Sequence, residues 1–519
     1  MKRIILILSA ALSLHSITGQ TEFDALRYIQ PDISGTARYT SMAGAFGALG
    51  ADPSAIKDNP AGLGIYRSPE ISATFNSLTQ NASSNWMGNS ASDGLYKLGI
   101  NNFTFILSSP TSGSGNSGLL RSNWAFSYNR IKDYNRNIKI NGGSNSKSSV
   151  TDYMGYFTGN TYGESLYETN NFDPYKNTSV SWLSVIAANA GLMKEYIDSE
   201  TNETLYWTSF LNDGETVSPS YYQYERGYMN DYAFSWSGNF QNRLFLGATV
   251  NIYDINYRSD AEYSESFEKG GNMSLKNVMK VTGTGVGLKL GTIYAPLDYL
   301  RFGFAVQTPV VYRINDVHYA DLNYYYTASS NGVIYTPEGT DEYKVQSPLV
   351  FNLSSSFIFG KKGVIGVEYV NSQNPETKLM NIENNTNGLG IANDSIRSLF
   401  KDQHTIKIGG EYRLNDNFSL RAGYAFTGAA TSSDLGKEMN PNTTRTDVEY
   451  FIQNSTSYLT AGVGYRESKW YVDLAIMNKM VNEKFSPYNS RKLGSNLQVN
   501  PASINNFNFN VVATIGFKL

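Results

Sequence analysis

The 519-residue chain contains no cysteine, which rules out a disulfide framework, thiolate metal sites and lipidation of an N-terminal cysteine. Histidine is almost as scarce: of three, only His318 and His404 lie beyond the first twenty residues. After those twenty residues no stretch of about 18 apolar residues occurs, so there is no helical membrane span. Charge is sparse and nearly balanced, 42 Lys and Arg against 45 Asp and Glu, and the net value of −3 argues against a nucleic-acid partner. No Ser-His-Asp arrangement is singled out by spacing, no histidine cluster suggests a metal, and no glycine-rich loop precedes a strand–helix unit. No catalytic residue, metal ligand or cofactor is therefore assigned, and the chain does not read as an enzyme.

Aromatic residues and alternation are what the sequence has. Phe, Trp and Tyr make up 13% of the chain, while the mean hydropathy is −0.35. Ile406, Ile408, Tyr412 and Leu414 alternate with Lys407, Glu411 and Arg413, and Phe418, Leu420, Ala422, Tyr424 and Phe426 with Asn417, Ser419, Arg421 and Gly423. Trp470, Val472, Leu474 and Ile476 continue the pattern, as does the C-terminal run from Phe507 through Phe517 to Leu519. Successive side chains on a strand point to opposite faces, so a strand between lipid and a polar lumen reads in this way. The fold class is all-β: a transmembrane antiparallel β-barrel with an N-terminal plug in its lumen.

Fourteen strands are predicted, near 70–78, 97–108, 122–134, 230–240, 243–257, 278–294, 299–314, 344–359, 363–371, 403–414, 417–427, 456–466, 469–480 and 505–519. Tight connections rich in Asn, Asp, Gly and Ser (Gln241–Asn242, Ala295–Asp298, Gly360–Lys362, Asn415–Asp416, Glu467–Ser468) alternate with long ones at 135–229, 258–277, 315–343, 372–402, 428–455 and 481–504. Short periplasmic turns, long external loops and an even strand count belong to bacterial outer-membrane barrels, and this parity puts both mature termini in the periplasm. Lys2 and Arg3 before the apolar run Ile4–Leu14 lay out a secretory signal peptide over residues 1–19, cleaved near Gly19 or Gln20. Residues 20–67 form the plug and 68–519 the barrel with its external loops. Expected partners are a hydrophobic small molecule, lipopolysaccharide and outer-membrane lipid, and the barrel-assembly machinery, which reads the last strand; a monomer is expected.

The plug segment is rich in Ala and Gly. Asp52 before Pro53 reads as a helix N-cap, and Asn59-Pro60 closes that turn. The run Ala43 to Leu63, with Ala51-Asp52-Pro53-Ser54-Ala55 leading into Asn59-Pro60-Ala61, resembles the FadL/TodX (OMPP1) family of outer-membrane transporters of hydrophobic compounds. The resemblance implies a fourteen-stranded barrel closed by an N-terminal hatch, with Asn59, Pro60 and Ala61 holding that hatch against the wall. It further implies passive transport of long-chain fatty acids or other hydrophobic molecules: capture on external loops, hatch gating and lateral release through the barrel wall. Pro309 and Pro348 interrupt their strands; early in the barrel, where the family opens, Asn101-Asn102 and Ile131-Lys132 offer no proline. Trp182, Val185, Ile186, Leu192 and Met193 lie at near-helical spacing in the longest external connection, either as a capture surface or as that loop's own core. Asp260, Glu262, Glu265 and Glu268 cluster in another connection as a calcium-binding or solvated group. Two alternatives stand beside transport: a FadL-like carrier or accessory in protein secretion, and a haemin-binding receptor using His318 or His404.

Overall fold

The computed structural model describes residues 19–111, 118–144 and 146–519. All but the last residue of the expected signal peptide lies outside these. Fourteen antiparallel strands close into a barrel: β1 (Glu70–Trp86), β2 (Asn89–Pro110), β3 (Leu119–Asp133, continued by Arg136–Asn141), β4 (Val217–Phe240), β5 (Leu244–Phe267), β6 (Asn272–Leu297), β7 (Leu300–Gln307 and Val311–Thr327), β8 (Ser330–Tyr335, Gly339–Gln346 and Val350–Phe359), β9 (Gly363–Ser372, continued by Lys378–Asn381), β10 (Gln403–Arg413), β11 (Phe418–Thr427), β12 (Tyr450–Arg466), β13 (Trp470–Ser486) and β14 (Ala502–Lys518). The last strand pairs with the first from Glu70↔Lys518 to Asn85↔Ser503, which closes the sheet on itself.

Alternation sets the two faces. Ile406, Ile408, Tyr412 and Leu414 are exposed on the outside of β10, while Lys407 and Glu411 are buried inside. Phe507, Phe509, Val511, Ile515 and Phe517 form the outward row of β14. Several strands run far past the lengths expected from sequence. The connections at 258–277 and 315–343 are mostly strand, turning only at 268–271 and 328–329, and β1 passes into β2 through the tight turn Met87-Gly88. Both turn residues have positive φ (52° and 86°), the geometry of a two-residue hairpin. The wall rises beyond the lipid layer there because polar inward and outward residues keep their ladder partners in water.

The lumen is filled from the N-terminal side. Helices α1 (Glu22–Tyr28) and α2 (Ala37–Ser41) and the 3-10 turns Pro53–Lys57 and Pro60–Ile65 lie against the inner wall. Asp52 caps the first of these turns by accepting from Ser54 N at 2.9 Å. The segment is fixed to strands all around the barrel: Ala37 N donates to Thr514 Oγ1 at 2.7 Å, Arg38 pairs with Glu411 at 2.8 Å, and Gly47 N donates to Glu368 Oε2 at 2.7 Å. Asn123 Nδ2 donates to Leu63 O at 2.8 Å, and Lys479 pairs with Asp32 at 2.5 Å. Outside, the connection between β3 and β4 folds into a small domain with α3 (Val150–Thr158), α4 (Trp182–Asn189) and a hairpin of Met193–Ile197 with Thr204–Ser209; a fifth helix, α5 (Gly390–Leu399), lies between β9 and β10.

Candidate functional site

Asn59 anchors the N-terminal segment to the wall. Its Oδ1 accepts from Ala61 N at 3.1 Å, capping the turn that Pro60 opens. Its Nδ2 donates to Gly47 O at 2.7 Å and to Thr292 O of β6 at 3.1 Å. Ala61 is fully buried, and its carbonyl accepts from Ser237 Oγ of β4 at 3.3 Å. Two wall glycines make this approach possible: a Cβ on Gly247 would stand 2.4 Å from the Pro60 carbonyl carbon, and one on Gly291 would stand 2.0 Å from Asn59 Oδ1. Neither glycine is distinguishable in sequence from the many others in the strands.

Below α1 lies a cavity of about 210 Å³. Ile29, Ile33, Met229, Tyr253 and Tyr312 give it an apolar lining, and Lys57, Lys289 and Lys407 reach into it. Lys407 is paired with Glu368 at 2.7 Å and faces Asp58 at 3.5 Å. Lys57 donates to Ser34 O and Lys289 to Lys57 O, and among the described residues neither forms an ion pair. Burial, with help from the neighbouring Lys407 and Lys289, pushes the Lys57 ammonium down to about 8, against the pull of Asp58. Asp58 is itself held below the usual carboxylate range: burial works to raise it, but Lys407 and Lys57 prevail. Two ammonium groups that form no ion pair among the described residues, with Asp58 and Asp231 nearby, beside an apolar lining suit an amphiphile with an anionic head.

On the other side of α1 is a second cavity, of about 250 Å³, more polar and bounded by Arg27, Arg136, Tyr257, Tyr450 and Phe451. Arg136 joins Glu225 at 2.5 Å to Glu483 at 2.7 Å. The roof is the connection 428–449, which folds inward: Glu438 N donates to Glu22 Oε1 at 3.2 Å, and Arg445 stands 3.8 Å from Asp24. Burial pushes the Glu22 carboxyl up to about 8.

Among the described residues the wall lacks a ladder between part of β2 and β3. The β2–β3 ladder ends at Asn102↔Asn129. Past it, β3 bulges between Arg130 and Lys132 and follows β4 inward, so that Lys139 O accepts from Ser84 Oγ of β1 at 2.7 Å. Residues 89–101 of β2 keep only β1 as a ladder partner. The seam is bridged by the Lys97–Asp133 ion pair at 3.3 Å and by side-chain hydrogen bonds from Asn137 Nδ2 to Gly94 O at 3.2 Å and from Asn89 Nδ2 to Gly142 O at 2.9 Å, and Asp32 N of the N-terminal segment donates to Ile131 O at 2.8 Å. Pro309 and Pro348 do break β7 and β8, at 308–310 and 347–349, but Ser347 N donates to Val310 O at 2.8 Å and Val310 N to Ser347 Oγ at 2.9 Å, holding that seam closed. The gap needs no proline because a bulge alone turns the strand.

Val185, Ile186, Leu192 and Met193 lie together in the core of the external domain, packed with Val150, Met154 and Trp207, while Trp182, also buried, packs its ring against Tyr175 and His318. They do not line an open groove. Tyr221 is buried beneath them, whereas Tyr224 is exposed. Asp260 pairs with Arg258 at 2.7 Å, Glu262 accepts from Ser274 Oγ at 2.6 Å, buried Glu265 accepts from Val150 N at 2.9 Å, and Glu268 accepts from Thr216 N at 2.9 Å. The four carboxylates are thus spread over separate partners. His318 is buried towards the lumen, and His404 is outside, stacked on Tyr369 at 5.9 Å; they share no site.

The family model for the outer membrane protein transport protein (OMPP1/FadL/TodX) matches residues 239–503, just over half of the chain. The crystal structure of a Pseudomonas aeruginosa FadL homologue is similar at 13% identity and a TM-score of 0.51, over 96% of this chain and 100% of that one. The Pseudomonas putida toluene transporter TodX is similar at 12% identity and a TM-score of 0.52, over 94% and 99%. At such identities the shared property is the fold. No curated protein matches the chain in sequence.

Proposed function

The chain belongs to the OMPP1/FadL/TodX family of outer-membrane transport proteins, and on that premise we propose that it carries long-chain fatty acids or similar hydrophobic molecules with an anionic head passively across the bacterial outer membrane. Residues 20–67 act as the hatch, residues 68–519 as the transporting barrel and residues 1–19 as the signal for export. Asn59, Pro60 and Ala61 hold the hatch on β4–β6; the ligand head rests on Lys57 and Lys289, and its tail follows the apolar lining towards Ile131. Release is sideways through the β2–β3 gap, since a bulged strand, one ion pair and two side-chain hydrogen bonds are easier to part than a full ladder. For Trp182, Val185, Ile186, Leu192 and Met193 to take part in capture, the external domain must open and expose its core.

The observation that carries this reading is the pair of ammonium groups that form no ion pair among the described residues, in a cavity with a partly apolar lining facing an unladdered seam. The test is to extract the purified protein with organic solvent and identify bound molecules by mass spectrometry. An anionic amphiphile near one per barrel, lost from Lys57→Met with Lys289→Met, is expected. An empty lumen that also fails to take up added fatty acid, with detergent competition excluded, overturns it.

A further inference from the structure

The register of β7 and β8 sets Asp316 directly opposite Asp341. Like charges facing each other across a ladder are destabilising, more so where water is excluded. Asp316 is fully buried, and neither its Oδ2 nor Asp341 Oδ2 has a hydrogen-bond partner among the described residues. The guanidinium of Arg445 reaches Asp316 Oδ2 only through Nη1 at 3.9 Å, beyond hydrogen-bond distance, while its Nε and Nη2 donate to Asp447 at 2.6 and 2.7 Å. That guanidinium is thus a long contact to one carboxylate rather than a hydrogen-bonded partner of the pair.

His318 completes the group. It lies two residues from Asp316 on the same buried face, opposite Gly339, where a Cβ would stand 2.4 Å from the ring Nε2. One donor atom from each of Asp316, His318 and Asp341 falls within 4.8 Å of the others. The ring's Nδ1 faces Asp316 Oδ1 at 3.1 Å, and its Nε2 faces Thr444 Oγ1 at 2.9 Å. An imidazole that ligates a metal through one nitrogen donates its other N–H to an oxygen, which fixes ring and tautomer. Thr444 offers such an oxygen, leaving Nδ1 to face the two carboxylates.

We propose that Asp316, His318 and Asp341 bind one divalent cation of the zinc class. One imidazole nitrogen with two carboxylates suits a borderline ion; calcium and magnesium favour all-oxygen sites, and the chain has no thiolate for softer metals. A dication neutralises the two carboxylates. It joins β7 to β8 above the Pro309 and Pro348 breaks and, through Thr444, to the inward-folded connection that roofs the upper cavity. Three protein ligands leave a further position for water or for an incoming anionic group.

The experiment strips the detergent-purified protein with a chelator, restores Zn²⁺, removes the excess and counts metal per chain by mass spectrometry, with the visible spectrum of a Co²⁺-loaded sample reporting coordination. One tightly held equivalent is expected in the unaltered chain. Asp341→Asn and His318→Gln should lose it, each checked for the heat-dependent gel migration of a folded barrel. Thr444→Val, which removes only the oxygen facing His318 Nε2 and none of the three proposed metal-binding side chains, should keep the fold and weaken binding by about 10- to 100-fold. The proposal is overturned if the unaltered chain holds no Zn²⁺ at micromolar concentration, if the two ligand variants hold as much as it does, or if Thr444→Val binds unchanged.

Discussion

Asn59 has two separable jobs, and Asn59→Asp separates them. Aspartate keeps an oxygen to cap the turn at Ala61, so the local helix signal survives. It removes both amide donations, to Gly47 O at 2.7 Å and to Thr292 O at 3.1 Å, and sets an anionic oxygen against two carbonyls. Two hydrogen bonds at about 1 kcal/mol each, plus at least about 1 kcal/mol for the unsatisfied acceptors, give a loss of about 3 kcal/mol in docking. That corresponds to about a 150-fold rise in the fraction of barrels with the hatch displaced. Planar-bilayer recording should show it as far more frequent or longer openings to small ions, while heat-dependent gel migration stays normal because no ladder rung is touched. Gly291→Ala should act the same way by a different route, since its Cβ would fall 2.0 Å from Asn59 Oδ1. If Asn59→Asp is as tight as the unaltered chain while Asn59→Ala leaks, Asn59 only caps a turn. If neither variant nor Gly291→Ala leaks, the assignment of residues 20–67 as a hatch fails.

The remaining predictions test the cavity, the seam and the external domain. Lys57 titrates near 8 because burial opposes its charge, and a bound anion requires the ammonium. Affinity for a fatty acid should therefore be full below about pH 8 and fall about tenfold per unit above it, and a calorimetric titration flat from pH 7 to 10 refutes the contact. With no native cysteine, Lys97→Cys with Asp133→Cys can be joined selectively by a short bifunctional maleimide across the β2–β3 seam; uptake should drop at least fivefold (about 1 kcal/mol on the barrier) with binding retained, and unaltered uptake excludes release there. Ile186→Ala, in a fully buried position of α4, should cost the external domain about 2–5 kcal/mol and expose the β3–β4 connection to protease without unfolding the barrel; a domain as resistant as before would contradict its placement in that core.

The barrel was legible because its signal repeats. Each strand carries only a few alternations, yet Ile406 to Leu414 and Phe507 to Leu519 report the same lipid-facing row, and turn length alternates independently of it. The NPA segment was legible because Asn and Pro have restricted roles around a helix start. Strand length was not: inward and outward residues are both polar above the membrane, so the alternation that marks a strand fades while the ladder continues through residues 258–267 and 315–327. The capture helix shows the converse ambiguity. An apolar stripe on α4 has the same spacing whether it faces a ligand or its own domain, and only the burial of Val185 and Ile186 in one cluster with α3 separates the two.

The gap and the carboxylate pair were hidden for a common reason. Both depend on register, which no local spacing encodes. Ile131 looks like an ordinary strand residue, but the bulge between Arg130 and Lys132 takes β3 off β2 and leaves residues 89–101 without a second neighbour. Conversely, Pro309 and Pro348 look like openings, yet Ser347 supplies through its side chain an acceptor that its strand would otherwise lack, and the seam stays shut. Asp341 is separated from Asp316 by a hairpin whose tip lies at 328–329, and only the rung Asp316↔Asp341 makes them neighbours. In a barrel the wall positions are set by pairing while chemistry in the lumen is set by which inward residues share a rung. A one-residue slip of β8 would put Asp341 on the outer face and abolish the pair, so introducing such a slip by a single-residue insertion at the 328–329 turn should abolish cation binding even with all three ligands present.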